Sequence, residues 1–466
     1  MDVIVVGCGA AGVAAMRKLH DRGLQVLGLE AADRIGGRVC TVPFGDRLID
    51  IGAAWCHGEK DNKVFELANP LELLGRPEPD NKWYVMSNGE LVSSNTAEDI
   101  LKILEDEVAK ADKYSTQSIS ECVRNAAQAN EVLKKDILSQ SFVEWYERNN
   151  HLGGQSDPKT GKSLRGLIEY WNSEGEVMLN WKGRGYKTII DVLLNKYPDP
   201  SKEIPLKILL RKEVENIRWG TNQRGLGNPL VQVTCKDGSL YAAKSVIVTL
   251  PIGVLKERYN QLFNPQLPSE KINAIKNLHM VVLDKIYIEF ETSWWPANPA
   301  NIAVLWREED KEKFSEKDKW ITEIYGLMSV EHQPNVLLAW IYGAGAVTME
   351  KCSDEEVRTG VQKLIDTILK KQFNVSPIRK ILRSKWASNP LARGSYAHRT
   401  VALEEDGGSA IILSEPLYHS NRLPVVCFAG EATSHHRHTA VHGAVESGFR
   451  EAERLIDSFE RLDANL

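Results

Sequence analysis

The sequence predicts an α/β protein of two domains, one of them built on a dinucleotide-binding strand, glycine turn and helix. Three observations carry this. An apolar run, Val3 to Val6, breaks at Gly7-Cys8-Gly9-Ala10-Ala11-Gly12, after which Val13 to His20 has helical spacing. A second strand, Gln25 to Leu29, ends in Glu30, about 20 residues past the glycines, where a ribose hydroxyl has to be accepted. The chain of 466 residues, 42 % hydrophobic and 26 % charged, exceeds one ordinary domain and holds a sizeable core.

In this unit Gly7 permits the tight turn, Gly9 lets the backbone approach a pyrophosphate, and Gly12 lets helix and strand pack closely. The free N–H groups of the helix start, with Ala11 in its first turn, offer the phosphates a site. An acid at Glu30 disfavours a 2′-phosphate. The bland alternative is an ordinary tight turn between strand and helix.

Lys plus Arg number 58 and Asp plus Glu 63, a formal charge of −5, which argues against a nucleic-acid surface and suits a cationic substrate. Seven scattered cysteines without a C-x-x-C pair indicate neither a disulfide framework nor a zinc site, and no metal is expected. No stretch is long and apolar enough to span a bilayer, and a strand beginning at residue 2 leaves no room for a secretory leader. We expect a cytoplasmic protein. The tail Ala464-Asn465-Leu466 departs from the peroxisomal S-K-L address and makes the peroxisome the alternative.

Further along, Arg47 to Gly58 passes from a strand into Gly52-Ala53-Ala54-Trp55-Cys56-His57-Gly58, whose small residues leave room for a flat ring. A lone histidine in such a turn is ordinarily a surface or packing residue. From about Asn62 to Asn195 the pattern turns helical, as an inserted domain, with a small hairpin at Trp83-Tyr84-Val85 before Asn88-Gly89. Glu169, Glu174 and Glu176, with Trp181 and Tyr186, fall where a channel-lining segment would return to the core; the acids either hold a remote ammonium or form a solvated face. Leu206 to Trp219, Leu230 to Cys235 and Tyr241 to Leu250 read as strands, with a turn at Asp237-Gly238. Met280 to Phe290 alternates as one strand with Lys285 on an apolar face, where an edge-strand lysine is the alternative. Trp294-Trp295-Pro296, Trp306, Trp320 and Trp340 read as core, and Asp354 to Lys371 as a helix.

Several of these segments resemble the flavin-dependent amine oxidase family. Glu30 to Arg38 resembles its E-x-x-x-R-x-G-G-R extension, Val246 to Leu255 its V-I-V-T-x-P-x-G-V-L strand and turn that closes the cofactor sheet, and Lys285 to Phe290 its K-I-x-x-x-F strand. Trp386 to Tyr396 matches W-x-x-x-P-x-x-R-G-S-Y, and Phe428-Ala429-Gly430-Glu431-Ala432-Thr433 with Thr439 to Gly448 is similar to its carboxy-terminal half. Gly343-Ala344-Gly345 resembles a family turn near the substrate cavity. The form G-A-A-W-x-H-G resembles the animal-type polyamine oxidases in particular.

The resemblance implies a discontinuous, three-layer FAD-binding domain from residues 1-75, 200-279 and 385-466. It implies a substrate domain with a mixed sheet from residues 76-199 and 280-384, and an active site between the two. Arg38 would touch the FAD phosphates, Val214 the adenine through its backbone, and Gly52, Ala53, Ala54, Trp55 and Trp386 would lie by the flavin. Gly430 and Glu431 would reach the cofactor, and the helix starting at Thr439, Ala440 and Val441 would aim its positive end at the flavin pyrimidine. Lys285 would bond through water to flavin N5, His57 would face the substrate channel and Tyr396 would form one wall of the amine site. Ser395 stands where monoamine oxidases tether FAD through cysteine, so the FAD should be non-covalent.

The implied reaction is oxidation of a C–N bond of a polyamine by hydride transfer to the flavin and reoxidation by O2, yielding hydrogen peroxide, an aldehyde and a shorter amine. Thr439-Ala440-Val441 departs from the S-T-T frequent in polyamine oxidases, which weakens that substrate contact. A monoamine oxidase, a histone-lysine demethylase and an inactive flavin-binding protein are the alternatives. A monomer or weak homo-oligomer is expected.

Overall fold

The computed structural model describes residues 1–79, 81–110, 115–150, 152, 158–220, 230–295, 300–406, 408–419 and 423–463. Pro296 and the tail Ala464-Asn465-Leu466 lie outside the described residues.

All four residues of Val3–Val6 are buried, so both faces of this strand need cover, and it sits inside a parallel sheet. The order across that sheet is Leu417–Tyr418, Pro424–Phe428, Ser245–Val248, Val3–Val6, Val26–Leu29 and Lys207–Leu209. Every pair is parallel except the outermost, Leu417–Tyr418 against Pro424–Phe428. Ser245–Val248 therefore lies between two strands and does not close the sheet, because its apolar side chains are buried on both faces. The helices Ala10–Asp21 and Val441–Asp463 meet closely enough that a Cβ on Gly448 would fall 2.2 Å from the Ala11 carbonyl oxygen. One apolar core joins them to this sheet and to a second, four-stranded one ordered Leu240–Ala243, Val231–Cys235, Val214–Trp219 and Phe263–Asn264.

The other large sheet has seven strands, ordered Ile378–Arg383, Leu283–Phe290, Gln333–Tyr342, Ile324–Val330, Ala300–Leu305, Asn81–Met86 and Leu91–Val92. It is mixed, since Ala300–Leu305 runs parallel to Asn81–Met86 and its other pairings are antiparallel. The period of two divides its side chains. Val85, Ile302 and Val304 pack with the helix Asp354–Leu364, whereas Tyr84, Met86, Ala303 and Leu305 pack with the helices Ser94–Ala109 and Ile137–Asn149. The indole N–H of Trp145 donates to the Tyr325 carbonyl across 2.9 Å and docks the helical insert on the sheet. The hairpin expected near Asn88-Gly89 is the sheet's edge.

Four local expectations need correction. Met280 to Phe290 is not one strand: His279–Val281 pairs with Tyr396–His398, and Leu283–Phe290 then enters the seven-stranded sheet. Lys285 thus stands on an interior strand, which removes the edge-strand alternative. Gly343-Ala344-Gly345 opens the helix Gly343–Lys351 and does not line the cavity described below. The helix from Asp354 ends in a π-turn at Ile365–Leu369. Finally, Leu179, Trp181, Tyr186 and Ile189, expected with the substrate domain by their place in 76-199, pack in the first core, where the helix Thr188–Leu193 meets Ala10–Asp21.

Candidate active site

A cavity of about 700 Å3 runs from the glycine turn to the seven-stranded sheet. The glycines around it divide into two kinds. At Gly12 a Cβ would fall 2.0 Å from the Gly7 carbonyl oxygen, and at Gly52 1.9 Å from that of Arg38, so these positions are glycine because backbone meets backbone. At Gly9 no protein atom lies within 3.8 Å of the missing Cβ, and at Gly430, with φ +123°, none within 4.0 Å. Both line the cavity, as Gly7 does, and leave room for a group of another kind; Gly12 does not line it.

The helix Ala10–Asp21 has no side-chain cap and no acid in its first turn, so its N–H groups are open to an anion where Gly9, Ala10 and Ala11 line the cavity. Glu30 accepts from the Cys8 and Ala32 N–H groups, both at 2.8 Å, which pins the turn to the strand end beside the cavity. Val214 lines the same end at the start of its strand, with its carbonyl held by Arg258 at 2.8 Å. Arg38 bonds the buried Glu431 at 2.8 Å and the Ser395 carbonyl at 3.1 Å. Glu431 also accepts from the N–H groups of Ala397 and Thr439, so one carboxylate fixes three cavity walls. Thr439, at φ 73°, turns the chain into the last helix, and Ala440 and Val441 follow it along the cavity.

At the junction with the seven-stranded sheet, Lys285 Nζ donates to the carbonyls of Asp50 at 2.8 Å and Gly52 at 2.7 Å. It lies 5.4 Å from the Trp55 ring centre and 5.2 Å from that of Trp340, its cross-strand partner. Burial pushes the Lys285 pKa down to about 8, although the Asp50 carboxylate pulls the other way. Burial pushes Asp50 itself up to about 6 against its bond from Thr41 and the nearby Lys285 charge. Ala53, Ala54 and Trp55 continue the wall, and Trp386 is buried against it with its indole N–H on the Ile51 carbonyl at 3.0 Å.

His57 opens to the cavity, and its Nδ1 lies 2.6 Å from the Val177 carbonyl, which assigns the proton to Nδ1 and leaves Nε2 as acceptor. Surrounding protein lowers its pKa, assisted by Lys285. Tyr396 lines the cavity from the strand Tyr396–His398, and burial raises its hydroxyl well above the usual range, so it stays protonated. The three acids of the returning segment are elsewhere. Glu169 pairs with Arg399 and Arg165, Glu174 with Lys60, and Glu176 accepts from the Met178 N–H; none lines the cavity. Sequence reasoning missed Trp340, Tyr170 and Lys162 as cavity residues. Trp340 was within reach through its register with Lys285, but no local pattern marks the other two.

Two kinds of glycine, an open helix start and an acid at the strand end fit an FAD. Residues 10–456 match the profile of the flavin containing amine oxidoreductases, and the chain belongs to that family. It is an FAD-dependent amine oxidoreductase. A human protein named peroxisomal N(1)-acetyl-spermine/spermidine oxidase is 29 % identical, over 97 % of this chain and 94 % of its own. Polyamine oxidase 4 of Oryza sativa subsp. japonica is 30 % identical, over 97 % of this chain and 88 % of its own. The fold is shared with a putrescine oxidase double mutant redesigned in cofactor binding, at a TM-score of 0.69 and 19 % identity, covering 98 % of this chain and 99 % of that one.

Proposed function

We propose that this enzyme is a polyamine oxidase acting on a C–N bond of spermine, spermidine or their N-acetyl derivatives, with O2 as acceptor and an aldehyde, a shorter amine and hydrogen peroxide as products. The observation that carries the reading is the position of Lys285, held at the junction of the dinucleotide cradle and the aromatic wall of Trp55 and Trp340. The names of the human and rice relatives support the polyamine class.

When bound, FAD supplies the hydride acceptor. In this reading Gly7, Gly9, Ala11 and Arg38 would face its phosphates, with Glu431 beside them on Arg38, and Gly430 and the helix start at Val441 would hold its other end. His57 Nε2, on a ring whose pKa burial lowers, accepts the proton that the arriving ammonium must lose. Trp55, Trp340 and Tyr396 exclude water and orient the chain of the amine. Lys285 holds or releases a proton at Nζ near neutral pH. Ser395 has no thiol to form a thioether, and its Oγ already bonds Leu283, so the FAD is non-covalent.

The proposed cofactor domain takes residues 1-75, 200-279 and 385-466, to which the core packing adds 179–194; the remainder of 76-199, with 280-384, forms the substrate domain. No helix among the described residues is long and apolar enough to cross a membrane. We take the protein to be a monomer or weak homo-oligomer in the cytoplasm, and the name of the human relative favours the peroxisomal alternative.

Anaerobic stopped-flow reduction of the bound flavin by spermine, N1-acetylspermine, spermidine and an aryl monoamine tests the function. Rapid bleaching by polyamines alone is expected. Bleaching by the monoamine alone, or by none of the four, would move the assignment elsewhere in the family.

A further inference from the structure

The cavity divides by charge. Its carboxylates among the described lining residues, Glu30, Glu213 and Glu431, all stand on segments that build the cofactor end, and each has a partner. Glu30 takes two backbone N–H groups, Glu213 pairs with Lys236 and Arg258, and Glu431 pairs with Arg38. The substrate side, residues 76-199 and 280-384, contributes no carboxylate among its described lining residues and two cations, Lys162 and Lys285. Lys285 directs its Nζ at the Asp50 and Gly52 carbonyls, which leaves Lys162 as the cation with donors to offer.

Lys162 is half-buried on the wall of the helical insert, and its Nζ has neither a hydrogen-bond nor an ion-pair partner among the described residues. The insert's other described lining residues, Trp145, Asn149, Tyr170 and Met178, are neutral. The backbone at Lys162 is fixed, since its carbonyl accepts from the Ile119 N–H at 2.9 Å and it bridges antiparallel to Thr400. The acids of the adjoining segments are committed elsewhere. Glu404 takes the hydroxyl of Ser163, next to Lys162, at 3.2 Å and pairs with Arg399 at 2.8 Å, while Glu169 pairs with Arg399 at 2.6 Å and with Arg165 at 2.9 Å. His398 and His438 are buried, with pKa values lowered by that burial, and carry no charge near neutral pH. Burial lowers the pKa of Lys162 as well. A half-buried ammonium repels a second cation, and only a full negative charge beside it offsets the hydration it has lost.

We propose that Lys162 is an anion anchor for the substrate: it pairs with a carboxylate that the amine carries at the end remote from the oxidised bond, so that a polyamine chain with one carboxylate end is preferred to one that is cationic throughout. This rests on the polyamine reading above and narrows its substrate class. The remote carboxylate supplies the counter-charge that the insert wall lacks, and its oxygens accept from the free Nζ. An ammonium at the same end would set like charges together on a wall without an acid among its described residues. A free carboxylate bound beside a fully cationic polyamine presents the same chemistry to Lys162 and is separated by the test.

The experiment is steady-state peroxide formation by the FAD-loaded enzyme on four samples: spermidine, its analogue with a carboxylate in place of the terminal aminomethyl group of the three-carbon arm, the amide of that analogue, and spermidine with acetate added. It is run on wild type, Lys162→Met and Lys162→Arg, with melting curves to establish that the variants fold; the ranking by wild type decides even where a variant does not. Wild type is expected to favour the carboxylate over spermidine and over the amide by about 10-fold or more in kcat/KM. Lys162→Met is expected to lose about 10- to 100-fold on the carboxylate, mostly in KM, and to gain on spermidine. Lys162→Arg, which keeps the charge, should retain most of the preference. A wild type that favours spermidine or the amide, a carboxylate preference unchanged in folded Lys162→Met, or acetate that raises spermidine to the rate of the carboxylated chain overturns the inference while leaving a polyamine oxidase in place. Failure of every one of these amines to reduce the flavin overturns both.

Discussion

Lys285 Nζ donates to the main-chain oxygen of Asp50 across 2.8 Å, and this bond ties an interior strand of the substrate sheet to the turn that lines the cofactor cavity. Lys285→Met removes the donor from Asp50 and Gly52 together with the titrating group. It is expected to lower turnover with oxygen by about 100-fold, the scale of a lost proton-transfer group, and to abolish the feature near pH 8 in the kcat profile. The stability profile gives a second reading. The folded pKa of Lys285, about 8, lies below its ordinary 10.5, so the folded state binds fewer protons between those values and wild-type stability gains with rising pH there. Lys285→Met should lack that gain, and equal slopes for the two proteins between pH 8 and 10.5 would contradict the assigned shift.

The two kinds of glycine should separate in experiment. Gly12→Ala drives a Cβ to 2.0 Å from the Gly7 carbonyl oxygen, and the helix has to move away from its strand. Such overpacking costs about 1–3 kcal/mol or more, so Gly12→Ala is expected to melt lower even without FAD. Gly9→Ala meets no protein atom within 3.8 Å. It should melt like wild type as apoprotein and lose at least about 10-fold in FAD affinity, since the pyrophosphate approaches there. Titration of apoprotein with FAD, beside melting curves, distinguishes the two.

Much of this cradle was legible because its constraints are local. Gly7 and Gly12 pack on each other within one turn, and Glu30, 22 residues from Cys8, stands at the spacing the glycines require, whereas Gly52 was reached through its motif. Lys285 was legible as a residue of interest through its motif, but not as an interior strand position. The break at Val282 that sends His279–Val281 to one partner and Leu283–Phe290 to another depends on pairings with strands far along the chain, Tyr396–His398 and Gln333–Tyr342. Tyr170 and Lys162 were not legible at all. Lys162 reaches the cavity because the insert folds back on Thr400, and Tyr170 because its segment meets His436 and His438, contacts without any periodic trace in the sequence. The acids Glu169, Glu174 and Glu176 fell at a plausible place in the chain and satisfy arginine, lysine and backbone partners instead.

Arg38 and Glu431 are one device. Arg38→Met leaves the Glu431 carboxylate buried on the Ala397 and Thr439 N–H groups alone, and losing one partner of a buried pair costs about 3–5 kcal/mol. The double variant Arg38→Met, Glu431→Gln removes the orphan charge and should recover much of the stability without recovering FAD affinity. Recovery of both would take Arg38 away from the cofactor.

Ser395 leads to a simple test of the flavin linkage. Its hydroxyl donates to the Leu283 carbonyl at 2.8 Å and accepts from the Leu283 N–H at 2.9 Å, so it serves the strand. Acid precipitation should release all of the flavin into the supernatant, and yellow colour retained in the washed pellet would show a covalent tether at another residue.

The loop that carries Trp386 should be sensitive to alkali through a pair of carboxyl groups. Asp284 accepts from the Ser384 hydroxyl at 2.6 Å and from the Trp386 N–H at 3.3 Å, while Glu350 accepts from the N–H groups of Ala387 and Ser388, both at 2.7 Å. Burial, and then the adjacent Glu350, push the Asp284 pKa up to about 8. The folded protein therefore keeps a proton that the unfolded chain releases above its ordinary value of 3.8. The contribution of Asp284 is complete below that value and is lost as pH rises through about 8. Asp284→Asn keeps the acceptor oxygen for Ser384 and Trp386 and cannot ionise. Its melting temperature should fall less than that of wild type between pH 6 and 9, and its flavin spectrum, with Trp386 beside the cavity, should change less over the same interval. If the two proteins lose stability in parallel across that range, the proton is not held at Asp284.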